Sequence, residues 1–324
     1  MASTTEKLPV AQRTHASTLI LALASAAAFG TSGAFVKPLL EAGWSPAAAV
    51  AVRAGGGGLV LLIPALIALR GRYGLLLARW KLILAYGIIA VVGTQVLYFA
   101  AIERLPVGIA LLIEYSAPIL LVLLAWARTR IPPTLLVIIG AVLSIAGLLL
   151  VINPSGTGGL DLLGVVFALG AAVCVAGYFL LSALPTDPLP PVVVVCSGLL
   201  VGAIALTAVG SVGLIPFTFS FSPVTLLGHP GVSWLVPMGV VVVVSTAFAY
   251  LAGILAAGKL GSRVASFVGL LEVLFAILFA WWVLGEVPTV LQAAGGALIV
   301  GGIVIVKMER PRKPAKLDAA KLPA

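Results

Sequence analysis

The stretch from Leu105 to Ile152, LPVGIALLIEYSAPILLVLLAWARTRIPPTLLVIIGAVLSIAGLLLVI, lies without a gap on residues 260–307, 155 positions later. Twelve of the 48 paired positions are identical, among them Trp126/Trp281, Pro133/Pro288, Thr134/Thr289, Gly140/Gly295 and Gly147/Gly302. A shift of 152 pairs residues 91–102 with 243–254 and gives six identities in twelve, including Thr94/Thr246 and Tyr98/Tyr250. An apolar chain inflates any such count, but matches at Trp, Pro, Thr and Tyr are harder to obtain by chance. The chain is therefore read as two related halves.

Working outward, the composition places both halves in a bilayer. Of 324 residues, 62% are hydrophobic and 9% charged, with a mean hydropathy of +1.24. A soluble chain of this size carries roughly 25% charged residues. Apolar runs of about 18 or more residues recur, each long enough to cross a hydrocarbon core ~30 Å thick. A soluble enzyme, a secreted disulfide scaffold and a nucleic-acid-binding module are excluded. Cys174 and Cys196 sit in separate apolar runs, so neither a structural disulfide nor a metal site is expected.

The runs predict an all-α membrane protein of ten transmembrane helices, arranged as two inverted five-helix repeats. The helices are expected near 16–38, 46–69, 82–102, 105–127 and 132–152, then 160–184, 190–210, 232–256, 262–284 and 288–306. Residues 1–15 form a polar N-terminal tail, 16–153 the first repeat, 160–306 the second and 307–324 a basic tail. Asn153 to Gly159 is a turn-forming linker, and residues 211–231 a longer loop with an interfacial stretch around Phe217, Phe219 and Phe221. With the N-terminus inside, 16 of the 19 lysines and arginines fall in inside segments. Lys37 and Arg104 fall outside and Arg53 within a span. This bias predicts a multi-pass protein of the plasma membrane with both termini cytoplasmic. An odd number of helices per repeat forces the second copy to lie upside down, an architecture that transporters use to open one central site to each side in turn.

The residues that could serve such a site are the polar ones buried at mid-depth. Glu114 lies nine residues into its predicted helix and Glu272 ten into its own. An acid there costs roughly 2.5–3.5 kcal/mol even on the lenient insertion scale and normally faces a cavity or a partner. Such a carboxyl can exchange a proton as its surroundings change; packing against a neighbouring helix is the plainer reading. Pro118, one turn after Glu114, removes a helical hydrogen bond and frees the Glu114 carbonyl; a tolerated kink is its alternative. Tyr115 and Ser116 complete a polar patch. Thr94 with Tyr98, and Thr246 with Tyr250, repeat one spacing in both halves and suit two walls of one cavity, or else interhelical bonds. Tyr178, Thr31 and Ser32 are weaker candidates of the same kind. Arg53 either pairs with an acid or snorkels outward, with a structural role favoured. Trp126 and Trp281 are expected as belt anchors, Gly55 to Gly58 as tight packing, and the glycines of the fifth and tenth helices as scaffold.

Gly30-Thr31-Ser32-Gly33 imitates the nucleophile motif of an intramembrane serine protease, but His15 and His229 both lie outside the spans and supply no general base. Neither a metal-ligand cluster nor a phosphate-cradling loop is present in the sequence, and no cofactor is implied.

On these residues the chain resembles the EamA-type drug/metabolite transporters over 16–306. Val52-Arg53-Ala54 matches that family's helix 2 arginine. Leu105-Pro106-Val107-Gly108-Ile109-Ala110 with Glu114-Tyr115-Ser116-Ala117-Pro118 is similar to the helix 4 segment of threonine and homoserine exporters. Ser245-Thr246-Ala247, Glu272, Leu284-Gly285-Glu286 and Pro288-Thr289 match the second repeat. Two departures stand out. Glu272 is followed by Val273 rather than proline, and Thr129-Arg130-Ile131 replaces Leu-Gly-Glu. The resemblance implies a secondary transporter exporting a small metabolite, an amino acid foremost, by alternating access; proton coupling is a separate expectation that rests on the two buried acids. Glu114, Tyr98 and Glu272 would line or control its cavity. Export of other metabolites or drugs, and a non-transporting membrane role, are the alternatives. The helices expected at 16–38 and 160–184 lack a mid-depth acid, which counts against cationic-drug antiport, and Arg53 alone is poor support for phosphate-bearing substrates.

Overall fold

In the computed structural model, the described residues are 10–102, 104, 105, 110, 113–152, 161–285 and 287–308. Residues 1–9 and 309–324, the Asn153–Gly159 linker, Pro106 to Ile109 and Glu286 lie outside them, and the tail expected over 1–15 is helical from Val10. The helices are α1 (Val10–Glu41), α2 (Pro46–Val60, continuing after a bend of 43° as Leu62–Leu69) and α3 (Trp80–Tyr98). They are followed by α4 (Ala117–Thr129), α5 (Leu135–Ile152), α6 (Leu162–Ala183) and α7 (Pro191–Ser211). The last three are α8 (Leu235–Leu260), α9 (Ser262–Leu284) and α10 (Val290–Met308). Among the described residues six helices are long and apolar enough to cross a membrane, or seven if bent α2 counts as one span. α4, α5 and α10 are apolar but shorter, so the count of ten is not reached on length alone.

α4 explains part of that difference. The predicted helix 105–127 is not continuous, because Tyr115 and Ser116 form a turn. There the backbone bonds tighten to a three-residue span, Ser116 N–H to Ile113 O (3.1 Å) and Ile119 N–H to Ser116 O (2.8 Å). Pro118 therefore does not kink a helix interior. It occupies the first turn of a restarted helix, where its missing N–H leaves nothing unsatisfied. The 13 residues that remain span about 20 Å. α9 is interrupted at Leu270, again by three-residue bonds, Leu270 N–H to Phe267 O (3.1 Å) and Val273 N–H to Leu270 O (3.2 Å). Leu270 is the ungapped repeat partner of Tyr115. Both halves break one helix at the same place, and the second does so without a proline.

A second paired irregularity lies in α3 and α8. Tyr86–Gly93 and Val243–Phe248 are π-helical, the first ending just before Thr94 and the second containing Thr246. A wider turn leaves backbone carbonyls without their usual partner. The Ala90 carbonyl accepts from Thr94 Oγ1 (3.2 Å) and Tyr250 Oη (3.4 Å).

α5 and α10 pack along one another on small residues. A methyl group on Gly140 would meet the Gly302 carbonyl at 2.7 Å, and one on Gly147 would meet the Gly295 carbonyl. Gly56, Gly57 and Gly58 of α2 press likewise on Val242, Thr246 and Leu200. Trp126 and Trp281 lie exposed near the ends of α4 and α9. The loop between α7 and α8 holds an antiparallel hairpin, Val224–Leu226 with His229–Val232, that the sequence did not announce. Its turn places Leu227 and Gly228 both at positive φ (53° and 76°), as two-residue hairpin turns require. Connecting loops are tied in pairs. Trp44 Nε1 donates to Ser220 O, Arg104 Nη1 lies 3.5 Å from Asp161 Oδ2, and Arg79 Nη2 donates to Asp187 O.

Candidate functional site

Between the halves lies a cavity of ≈350 Å³ walled by α1, α2, α3, the Glu114–Pro118 turn, α6, α8 and α9. Among the described residues, none from α5, α7 or α10 lines it. Of the expected site residues, Arg53, Thr94, Tyr98, Glu114, Tyr115, Pro118, Tyr178, Tyr250 and Glu272 line the cavity. Thr246 stands behind the wall, buried and bonded to Arg53.

The helix breaks decide where the acids sit. Glu114 immediately precedes the Tyr115–Ser116 turn, and Glu272 opens the helix that restarts after Leu270. The Tyr115 hydroxyl meets the Glu272 carboxyl. Glu114 lies within electrostatic reach of Glu272 and of Tyr98. The two acids thus share one space although the ungapped repeat pairs Glu272 with Ala117 rather than with Glu114.

Arg53 points into the bundle rather than snorkelling, and among the described residues it forms no direct ion pair. Its Nε donates to Thr246 Oγ1 (2.9 Å), Nη1 to Ser32 Oγ (2.8 Å) and Nη2 to the Ser245 carbonyl (3.0 Å). A guanidinium carries five donors in a rigid fork, and these three join α2 to α1 and to the π-turn of α8. The Ser245 carbonyl lies within that wider turn, and the cation supplies it with a donor. Arg53 also stands within electrostatic reach of Glu272 and Tyr250.

One wall is aromatic. Phe29, Tyr178 and Tyr250 line the cavity there and, with Tyr86 buried behind them, form edge-on pairs with ring centroids 4.9–6.4 Å apart. Sequence reasoning passed over Phe29, Ser25 and Ser266, because a lone Phe or Ser in an apolar helix carries no signal of its own. Gly30 did carry one, in a motif read as a failed protease signature. A methyl group there would meet Phe275 Cβ at 2.7 Å, Ala276 N at 2.9 Å and Glu272 O at 3.0 Å. Gly30 therefore brings α1 against the backbone of α9 beside Glu272, and Ser32 of the same motif holds Arg53.

A cavity that carries Arg53, Glu114 and Glu272 within an apolar multi-helix bundle, with walls from both halves, fits a membrane transporter. The chain belongs to the EamA-like transporter family, which it matches over residues 16–153 and again over 162–308. It is similar to the uncharacterized transporter YwfM of Bacillus subtilis (strain 168), with 29% identity over 237 residues, covering 70% of this chain and 73% of that protein. A solved crystal structure superposes with a TM-score of 0.71 at 21% identity, covering 90% of this chain and 96% of the other. At that identity the likeness concerns the fold alone.

Proposed function

We propose that this protein exports a small zwitterionic metabolite, an amino acid in the first instance, across the plasma membrane by alternating access, and that Glu114 and Glu272 carry the exchanged proton. The observation that supports this reading is the charge content of the cavity: one guanidinium, Arg53, and two carboxyls, Glu114 and Glu272, on walls drawn from both halves. A zwitterion presents one carboxylate and one ammonium. Arg53 matches the first by its charge and by the N–H groups left over from its three bonds to α1 and α8, and either acid matches the second. Tyr98, Tyr115, Tyr178 and Tyr250 supply hydroxyls to the remaining polar atoms, while Thr94, Thr246 and Pro118 shape the turns that hold them.

The topology belongs to the same proposal: ten spans, two inverted repeats and both termini cytoplasmic. The loop ties support it. Trp44 with Ser220 and Arg104 with Asp161 join loops expected outside, and Arg79 with Asp187 joins loops expected inside.

The test is flux from proteoliposomes across a panel of labelled amino acids, with and without an imposed pH gradient. Selective flux of one or a few amino acids that responds to the gradient is the expected result. No flux for any of them overturns the substrate class, and flux indifferent to the gradient overturns proton exchange.

A further inference from the structure

The loop between α7 and α8 does not depend on the transport reading, and it carries an inference of its own. Residues 211–231 contain one titratable side chain, His229. Leu214 is 74% exposed, Phe221 70% and Phe219 44%. A loop that runs in water ordinarily covers such distances with charged and small polar residues, and this one does not.

Its opposite edge is fixed. Ser45 N–H donates to Thr218 O (3.0 Å), Thr218 N–H donates to Ser45 Oγ (2.9 Å) and Trp44 Nε1 donates to Ser220 O. Trp44 stacks at a tilt on Trp234 (5.5 Å) and edge-on to Phe219 (5.4 Å), and Phe221 reaches Trp234 (5.4 Å). Phe217 turns inward onto Gly210. With that edge held, Leu214 and most of Phe221 are left on the outer face of the loop.

What that face meets follows from continuity. The loop joins two spanning helices whose flanking outward residues, Ile204 on α7 and Leu235 on α8, are exposed and apolar as well. Leu214 stands three residues beyond the end of α7, within about 10 Å of it, and the headgroup zone on each side of the hydrocarbon is about 5–8 Å deep. Trp at the inner seam is the residue type that favours that zone.

We propose that the segment from Leu214 to Phe221 is a membrane-interface anchor: Leu214, Phe219 and Phe221 lie at the boundary between headgroups and acyl chains, held there by apolar burial without charge. Through Thr218 and Ser220 the anchor ties the α1–α2 turn at Trp44 and Ser45 to the bilayer surface.

The experiment is nitroxide accessibility on the full chain in vesicles. The two native cysteines, Cys174 and Cys196, are removed as Cys174→Ala and Cys196→Ser, and single labels are placed by Leu214→Cys, Phe221→Cys and His229→Cys. Labels at 214 and 221 should be several-fold more accessible to oxygen than to a water-soluble nickel chelate, and the label at 229 should show the reverse. The result should be the same in phosphatidylcholine vesicles with and without phosphatidylglycerol. Preferential access of the nickel chelate at 214 and 221 overturns the proposal, and so does oxygen preference that requires the anionic lipid. Spin–spin broadening that disappears on dilution with unlabelled protein would mean that a second copy covers the face instead. Hydroxyl-radical footprinting of the unmodified chain reads the same question without substitutions: Phe219 and Phe221 should be protected in vesicles, and labelling as strong as that of His229 refutes the anchor.

Discussion

Arg53 Nε donates to Thr246 Oγ1 at 2.9 Å, joining residues 193 positions apart in opposite halves of the chain. The same guanidinium holds Ser32 and the Ser245 carbonyl. Arg53→Lys keeps the charge but replaces a rigid fork by a single ammonium that cannot reach all three acceptors. Hydrogen bonds to a charged group contribute about 1.5–3 kcal/mol. The expected outcome is a loss of stability of about that size and a fall in flux of at least tenfold, measured by thermal unfolding in detergent and by proteoliposome flux. Near-normal flux in Arg53→Lys would detach this residue from the substrate.

Glu114→Gln and Glu272→Gln keep shape and hydrogen bonding while removing the titratable proton. If the acids carry the exchanged proton, each variant flattens the response of flux to an imposed pH gradient, and the double variant abolishes it. Gradient dependence that survives in both single variants and in the double variant refutes proton exchange at this pair.

Gly30 and Gly33 belong to one motif but meet different surroundings. A methyl group at Gly30 runs into Phe275 Cβ and the α9 backbone, whereas one at Gly33 meets nothing within 4 Å. Overpacking of this kind costs about 1–3 kcal/mol. Gly30→Ala should lower the unfolding temperature and impair flux; Gly33→Ala should leave stability unchanged to within about 0.5 kcal/mol. Equal effects of the two would contradict the packing described here.

Asp161 caps α6. Its Oδ1 accepts the Gly164 N–H at 2.8 Å, and that bond, followed by Arg104, holds its carboxyl below the ordinary aspartate range. A lowered folded value contributes stability that is present above the unfolded aspartate range and fades as the pH falls through the folded one. The unfolding temperature of Asp161→Ala should therefore lie below wild type at neutral pH, and the two should converge in acid. A constant gap across the titration would remove the carboxylate from the explanation.

Much of the candidate site could be read from residue type and register. Glu114, Glu272, Tyr98 and Tyr250 are polar groups in apolar runs, and the cost of burying them selects for a cavity. The repeat alignment pairs Tyr115 with Leu270, the two positions at which helices break, although only the first break has a proline nearby. The π-turns at Tyr86–Gly93 and Val243–Phe248 were not legible, since VVSTAF contains neither proline nor glycine, and the two glycines of YGIIAVVG are equally at home in an ordinary membrane helix. Nor was the hairpin, because Leu227 occupies a left-handed position that usually goes to Asn or Gly. Arg53 showed that it must find acceptors, but the choice of hydroxyls and a carbonyl over an acid is made by tertiary contact alone. Length misled at α4, where hydrophobicity runs on through a turn.

At Gly30 no side chain projects from α1 into α9, so beside Glu272 the two helices touch along a smooth seam. With no α1 side chain between them to absorb a displacement, any movement of α1 at this point passes directly into the backbone that carries the carboxyl.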